Sequence, residues 1–242
     1  MEWFSEWFNS PYYHVLYKNR DFKEAESFIE NLIHNQHFET NQQFLDLACG
    51  KGRHAIYLNS KGFKVLGLDI APESIVEAQQ SANKTLHFAV HDMRNSLQPY
   101  GKFDFILNLF TSFGYFEQDA DNFKTIQAIK SALQPGGTLI LDFMNTEKVI
   151  QNLVPHEVKT IDNITFNITR KLENGFIIKQ IQFEDLNRAY LYEERVCALS
   201  KAHFENYFAA AGLKIQTMYG NYELDPYDKN NAPRMIFVVK QA

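Results

Sequence analysis

The chain has 242 residues, 45% of them hydrophobic and 22% charged, which fits one large α/β domain and excludes a disordered, collagen-like or coiled-coil chain. Its formal net charge is −5 and its 24 Lys and Arg are scattered, so it lacks the basic footprint that a nucleic-acid backbone requires. Two cysteines, Cys49 and Cys197, without His at ligand spacing leave no zinc site and no disulfide framework, and no apolar run is long enough to span a bilayer.

The first turn, with Trp3, Phe4, Trp7 and Phe8, is strongly apolar and serves either as a staple or as a dimer contact. Glu2 and Glu6 without a basic n-region argue against a signal peptide, and the cysteine usage fits a reducing cytoplasm. Tyr13, Tyr17 and Arg20 fall at i, i+4 and i+7, one stripe of a helix on which two phenols and a guanidinium converge. Over residues 21–35, Phe22, Ala25, Phe28, Ile29, Leu32 and Ile33 recur at helical spacing. Residues 44–48 form an apolar strand that runs into Cys49-Gly50-Lys51-Gly52, and 53–60 read as the next helix, closed by Lys61-Gly62. Strands over 64–69, 85–90 and 103–108 follow, with a helix over 72–82 opened by Pro72. A helix over 122–133 and a turn at Pro135-Gly136-Gly137 lead into a fifth strand, 138–143.

Five alternations of strand and helix, with strands that read as continuous apolar runs, predict a doubly wound parallel sheet covered on both faces. After Thr160 the texture changes to long β-type runs at 164–172, 175–183 and 189–198, the first two joined by Asn174-Gly175. A helix over 201–211, capped by Ser200 and ended by Gly212, precedes two last strands at 213–220 and 234–240. No helix separates that final pair, so it is antiparallel. The organisation expected is one domain, 1–242, with an N-terminal helical lid over 1–40 and an antiparallel β insertion over 157–198.

The glycines after the first strand let a backbone approach a ligand closely, and Asp69 at the end of the next strand is placed to accept from ribose hydroxyls. Asp46, within the first strand, would crowd a pyrophosphate but helps hold an ammonium, which favours an amino-acid nucleoside. Asp92 and Met93 end the third strand, where a carboxylate accepts from an adenine amine and Met93 offers its amide and an apolar flank. Arg53 opens a helix, either as a ligand to a carboxylate or as a surface residue.

FLDLACGKGRH, VLGLD, VHDMR and LQPGGTLILDF together resemble the linked motifs of class I S-adenosylmethionine-dependent methyltransferases, over residues 44–143. CGKGRH with NLFTSFGYF is similar to bacterial small-molecule methyltransferases. The resemblance implies a seven-stranded Rossmann-like sheet of order 3-2-1-4-5-7-6 with its last strand antiparallel, and S-adenosylmethionine as cofactor. Carried over by position, it implies that Asp46, Gly50 and Gly52 contact the methionine part. Asp69 would take the ribose, Asp92 and Met93 the adenine, and Asn108 the floor, with Ala48, Ile70 and Arg53 flanking. Tyr13, Tyr17 and Arg20 would close over the methionine carboxylate.

Phe110, Ser112, Phe113 and Tyr115 lie after the fourth strand, at the rim where an acceptor sits. Asn145, Arg195, Tyr219, Tyr222 and Arg234 are further wall candidates, the arginines suiting a substrate carboxylate. No Asn-Pro-Pro-Tyr or Asp-Pro-Pro-Tyr stands here, which disfavours nucleobase methylation. The reading is a small-molecule N- or O-methyltransferase, monomer or homodimer, with no metal, nucleic-acid or membrane partner. Its rivals are a nicotinamide-dependent dehydrogenase and a non-catalytic cofactor-binding subunit.

Overall fold

The computed structural model describes residues 3–18 and 22–241. Strands β1 (Gln43–Leu47), β2 (Lys64–Asp69), β3 (Leu86–Val90), β4 (Phe103–Asn108) and β5 (Leu133–Met144) are mutually parallel, in the order β3-β2-β1-β4-β5. Beyond β5 the sheet is completed by two late strands, β11 (Arg234–Gln241) and then β10 (Leu213–Tyr219). β11 is antiparallel to both its neighbours, as a connection without a crossover helix demands. The expected 3-2-1-4-5-7-6 order is therefore the observed one.

The central strands are apolar on both faces because helices cover both. On one side α3 (Phe22–Gln36), α4 (Arg53–Ser60) and α5 (Pro72–Ala78) bury Phe28, Leu32, Ala55, Leu58 and Ile75 against Phe44 and Val65. On the other, α6 (Asp119–Ala132) and α8 (Lys201–Ala210) bury Ile126, Ile129, Phe204 and Phe208 against Leu139 and Phe237. Each such side chain, taken fully from water, contributes roughly 1.5–3 kcal/mol. Helix α3 is thus a core helix. The two short helices before it, α1 (Trp3–Phe8) and α2 (Pro11–Leu16), lie over the strand ends.

Helix α2 begins at Pro11, where a missing N–H costs nothing, with the Ser10 hydroxyl accepting from the Tyr12 amide at 3.2 Å. It ends at Leu16 with Tyr17 as its C-cap; the Tyr17 amide still donates to the Tyr13 carbonyl at 3.1 Å and the two rings lie 4.9 Å apart, as the i, i+4 spacing implies, while Arg20 lies outside the described residues. The Tyr17 phenol reaches the β-rich insertion, where it donates to Glu194 at 2.5 Å and accepts from Lys179.

The antiparallel insertion has four strands, one more than its sequence pattern shows: β6 (His156–Ile161), β7 (Ile164–Glu173), β8 (Phe176–Asp185) and β9 (Arg188–Cys197). Asn174-Gly175 makes the expected hairpin turn, with φ of 50° and 78°. Asp162-Asn163 and Leu186-Asn187 also hold two successive positive φ values, 49° and 65°, then 49° and 60°, and close the other two hairpins. Asp and Asn tolerate this region, which is how a hairpin forms without glycine and why β6 escapes a search for Asn-Gly. One face of the insertion receives the N-terminal helices: Trp7 is 1% exposed and packs 4.5 Å from the Tyr192 ring, and Tyr12 lies 4.6 Å from that of Phe183. The apolar first turn is therefore a staple within one chain.

Candidate functional site

The parallel strands end along one rim, and two cavities open there. The first, about 370 Å³, is floored by Ala48, Cys49, Gly50 and Lys51, and bounded by Asp69, Ile70, His91, Asp92 and Met93. Leu109, Phe110, Ser112 and Tyr115 form its far wall, while Phe4, Phe8, Tyr13 and Tyr17 roof it. The rim backbone is strained at non-glycine residues: Ala48, Phe110 and Thr111 have φ of 65°, 58° and 60°. Such conformations cost of order 1–3 kcal/mol each and persist only where surrounding contacts impose them.

Gly50 has φ 56° and a Cβ built on it would meet nothing within 4 Å, so its glycine character serves the turn and leaves space toward the cavity. Its N–H donates to Asp69 Oδ2 at 2.7 Å, and the Ala71 N–H donates to Oδ1 at 2.8 Å. The Asp69 carboxylate therefore clips the loop to the end of β2 and retains lone pairs toward the cavity; burial pushes its pKa upward. Gly52 differs: a Cβ there would stand 2.6 Å from Phe88, so it packs α4 against the sheet and does not line the cavity.

Asp46 and Asn108 lie beneath this floor. Asp46 is 1% exposed, and burial raises its pKa to about 7, opposed by the Ala55 backbone amide and assisted by the Asp69 charge. Asn108 donates to the Leu47 carbonyl at 2.9 Å, tying β4 to β1. Asp46 Oδ2, Asn108 Oδ1 and His54 Nε2 are buried without a hydrogen-bond partner, three polar atoms under one cavity. Because the folded pKa of Asp46 lies above the unfolded value near 4, its contribution to stability is complete below that value and is lost as pH rises toward about 7. Asp46→Asn is accordingly expected to gain in melting temperature over the parent by about 2 °C or more between pH 5 and pH 8. A gap that is flat or shrinks over that range in thermal melts overturns the assignment.

Asp92 lines the cavity but is engaged by Arg94, whose Nε lies 3.0 Å from both carboxylate oxygens. Burial raises the Asp92 pKa, and the Arg94 hydrogen bonds and charge outweigh it, so the net shift is downward. Arg53 opens α4 with its guanidinium 3.9 Å from the centre of the Phe110 ring.

The second cavity, about 610 Å³, is lined by Trp3, Phe8, Tyr13, Phe110, Thr111, Tyr115 and Met144, by Glu194 and Val196 of β9, and by Tyr222, Glu223 and Arg234. Phe8, Tyr13, Phe110 and Tyr115 line both cavities and so form the wall between them. Tyr222 stacks on Phe110 with centroids 5.0 Å apart, and its hydroxyl donates to Asp142 at 3.2 Å. Asp142 is fully buried; it accepts from Arg234 Nε at 2.8 Å and from the Phe110 amide at 2.7 Å. Arg234 also donates to the Thr111 hydroxyl at 2.8 Å, so one ion pair braces the strained turn.

Several expected wall residues lie elsewhere. Phe113 is fully buried against Phe204 and Tyr207, because the turn at Phe110 and Thr111 rotates it into the core. Asn145 is 1% exposed and donates to the Lys229 and Ala232 carbonyls, fastening the last loop. Arg195 pairs with Glu193 at 3.4 Å and lies over the Phe176 ring; alternation along β9 points Glu194 and Val196 into the cavity instead. Tyr219 donates to Asn35 and is absent from both linings. Phe8, Thr111, Asp142, Glu194 and Glu223 were not legible as site residues. Asp142 had a usable signal, a lone carboxylate ending an apolar strand as Asp69 does.

Among the described residues no helix is long and apolar enough to cross a membrane, and no group of three or more His, Cys, Asp or Glu is placed to hold a metal ion. Residues 44–137 match the family model described as "Methyltransferase domain". YqeM of Bacillus subtilis (strain 168) is 33% identical over 111 residues, 45% of each chain, so this chain spans under half of that relative in the match. A dTDP-3-amino-3,4,6-trideoxy-alpha-D-glucopyranose N,N-dimethyltransferase of Streptomyces venezuelae is 23% identical over 219 residues, 84% of this chain and 88% of that one. The crystal structure of an S-adenosylmethionine-dependent methyltransferase from Clostridium acetobutylicum ATCC 824 superimposes with a TM-score of 0.81 at 23% identity, covering 96% of each chain.

Proposed function

We propose that this chain is a class I S-adenosylmethionine-dependent methyltransferase that methylates the nitrogen of a small-molecule amine, a reading supported by the methyltransferase-domain match over residues 44–137 and by the shared fold. The observation that carries this reading is the pair of cavities divided by the rings of Phe8, Tyr13, Phe110 and Tyr115. The first cavity takes the cofactor. Asp69 binds the ribose hydroxyls; Asp92 and Met93 border the adenine; Ala48, Gly50, Ile70 and Arg53 border the rest, with Asp46 acting from beneath on the ammonium. Orphaned polar atoms under the floor and open space at Gly50 fit such a ligand. S-adenosylmethionine, when bound, supplies an electrophilic methyl on a sulfonium, which leaves as a neutral thioether.

The protein's part is alignment and dehydration. The aromatic wall excludes water between donor and acceptor and favours positive charge at its faces, by roughly 0.5–2 kcal/mol per ring. Helices α1 and α2 act as the cover, stapled to the insertion through Trp7, whose indole N–H donates to Glu194 at 2.8 Å. The acceptor nitrogen enters from the second cavity and loses its proton there to solvent or to a carboxylate; no buried base is required once the amine arrives neutral.

Titration calorimetry with S-adenosylhomocysteine and with NAD tests the reading, followed by methyl counting by mass with deuterated S-adenosylmethionine. Binding of the first ligand only, and label in an amine product, are expected; micromolar NAD affinity without affinity for S-adenosylhomocysteine overturns it. Tyr115→Ala should lower turnover at least about tenfold while changing S-adenosylhomocysteine affinity less than about threefold, since the ring separates the cavities. Equal losses in both would place Tyr115 in cofactor binding alone.

A further inference from the structure

We infer that the second cavity selects a cationic acceptor lacking carboxylate and phosphate groups, its reacting amine at the aromatic wall and its other amine or hydroxyl groups toward Glu24 and Glu223. This deepens the methyltransferase reading and rests on it. Among the described lining residues are three carboxylates, Glu24, Glu194 and Glu223, and one guanidinium, that of Arg234; Glu194 is matched by Lys179 behind it at 3.5 Å, which leaves Glu24 and Glu223 to set the sign at the mouth. Arg234 is already committed: Nε donates to Asp142 and an Nη donates to Thr111, and its side chain is only 18% exposed. A substrate carboxylate arriving there would have to compete with a buried Asp142 and approach three glutamates. Taking an anion out of water toward like charge is unfavourable, which makes the cavity a poor anion receptor.

The same lining suits a cation. Phe110 and Tyr222 stack on each other 5.0 Å apart, with Arg53 over Phe110 and Arg234 over Tyr222, so the lining already holds cations against rings, and Trp3, Tyr13 and Tyr115 supply the other rings of the wall. Glu194, its side chain 15% exposed, is already engaged where β9 meets the N-terminal helices, by Lys179 at 3.5 Å and by the Trp7 and Tyr17 donors, so it closes the inner wall and leaves the mouth carboxylates to the ligand. Glu24 on α3 and Glu223 in the last loop are exposed at the mouth. At about 610 Å³ the cavity accommodates a molecule of drug size. The relative from Streptomyces venezuelae is named for a dTDP-linked substrate, whose diphosphate this lining would repel.

The test uses the whole protein saturated with S-adenosylhomocysteine and three probes: 1,4-diaminobutane, 4-aminobutanoate and thymidine diphosphate, followed by calorimetry or by chemical-shift changes. The diamine should bind at least about tenfold tighter than either anionic probe. In the Glu24→Gln/Glu223→Gln double variant, both changes being at exposed positions, that preference should fall below about threefold with S-adenosylhomocysteine affinity unchanged. The inference is overturned if an anionic probe binds as tightly as the diamine, if no probe binds the loaded protein, or if the double variant keeps the full preference. Failure of S-adenosylhomocysteine itself to bind is read in the loading step, and removes the methyltransferase reading instead.

Discussion

Arg234→Ala is expected to lower the unfolding free energy by about 3–5 kcal/mol, the largest effect of any single change at the rim. Asp142 is fully buried, and Arg234 is its only cationic partner among the described residues, at 2.8 Å. Truncating the guanidinium leaves a carboxylate in the sheet with the Phe110 amide and the Tyr222 hydroxyl as its remaining donors. It also strips the Thr111 hydroxyl of a donor beside two residues held at positive φ, so the turn that builds the cavity wall loses its brace. Removing both charges should be milder than removing one, because no buried charge is then stranded: Asp142→Asn/Arg234→Met is expected to recover at least half the loss. Urea unfolding of the two single variants and the double variant measures this directly. A loss below about 1 kcal/mol for Arg234→Ala would mean the pair is solvated and does not hold the turn.

Asp69→Ala should weaken S-adenosylhomocysteine binding by roughly 1.5–3 kcal/mol, about ten- to a hundredfold or slightly more. Two losses combine. The carboxylate's lone pairs toward the cavity disappear, and so do its bonds to the Gly50 and Ala71 amides, which keep the glycine loop against the end of β2. Asp69→Asn separates these, since an amide oxygen still accepts from one of the two backbone donors; it should fall between parent and alanine variant. Calorimetric titration decides, with a thermal melt of each variant to confirm that the sheet is intact. Undiminished affinity in Asp69→Ala would remove the ribose contact from the proposal.

The strand order followed from the resemblance of the linked motifs, whereas the parallel sheet, the rim and the glycine loop were legible in the residues themselves. The cause is that they depend on short-range patterns: apolar runs of five or six residues, a Gly pair after a strand, an Asp ending the next one. Side chains at strand ends have little freedom over where they point, so Asp69, Asp92 and Phe110 were placed by local periodicity. Helix ends and two-residue turns were less legible. The α2 helix stops at Leu16, and its cap Tyr17 is bonded to Glu194 and Lys179, far away in the chain. β6 forms because Asp162 and Asn163 accept positive φ without glycine. Only the tertiary structure decided the second cavity. Its walls come from the N-terminal helices, α3, the turn after β4, β9 and the last loop, segments whose neighbourhood no local pattern encodes. The same long-range packing turned Phe113 inward and committed Arg234 to Asp142, since burial of a ring and pairing of a buried charge are settled by what stands opposite them in space.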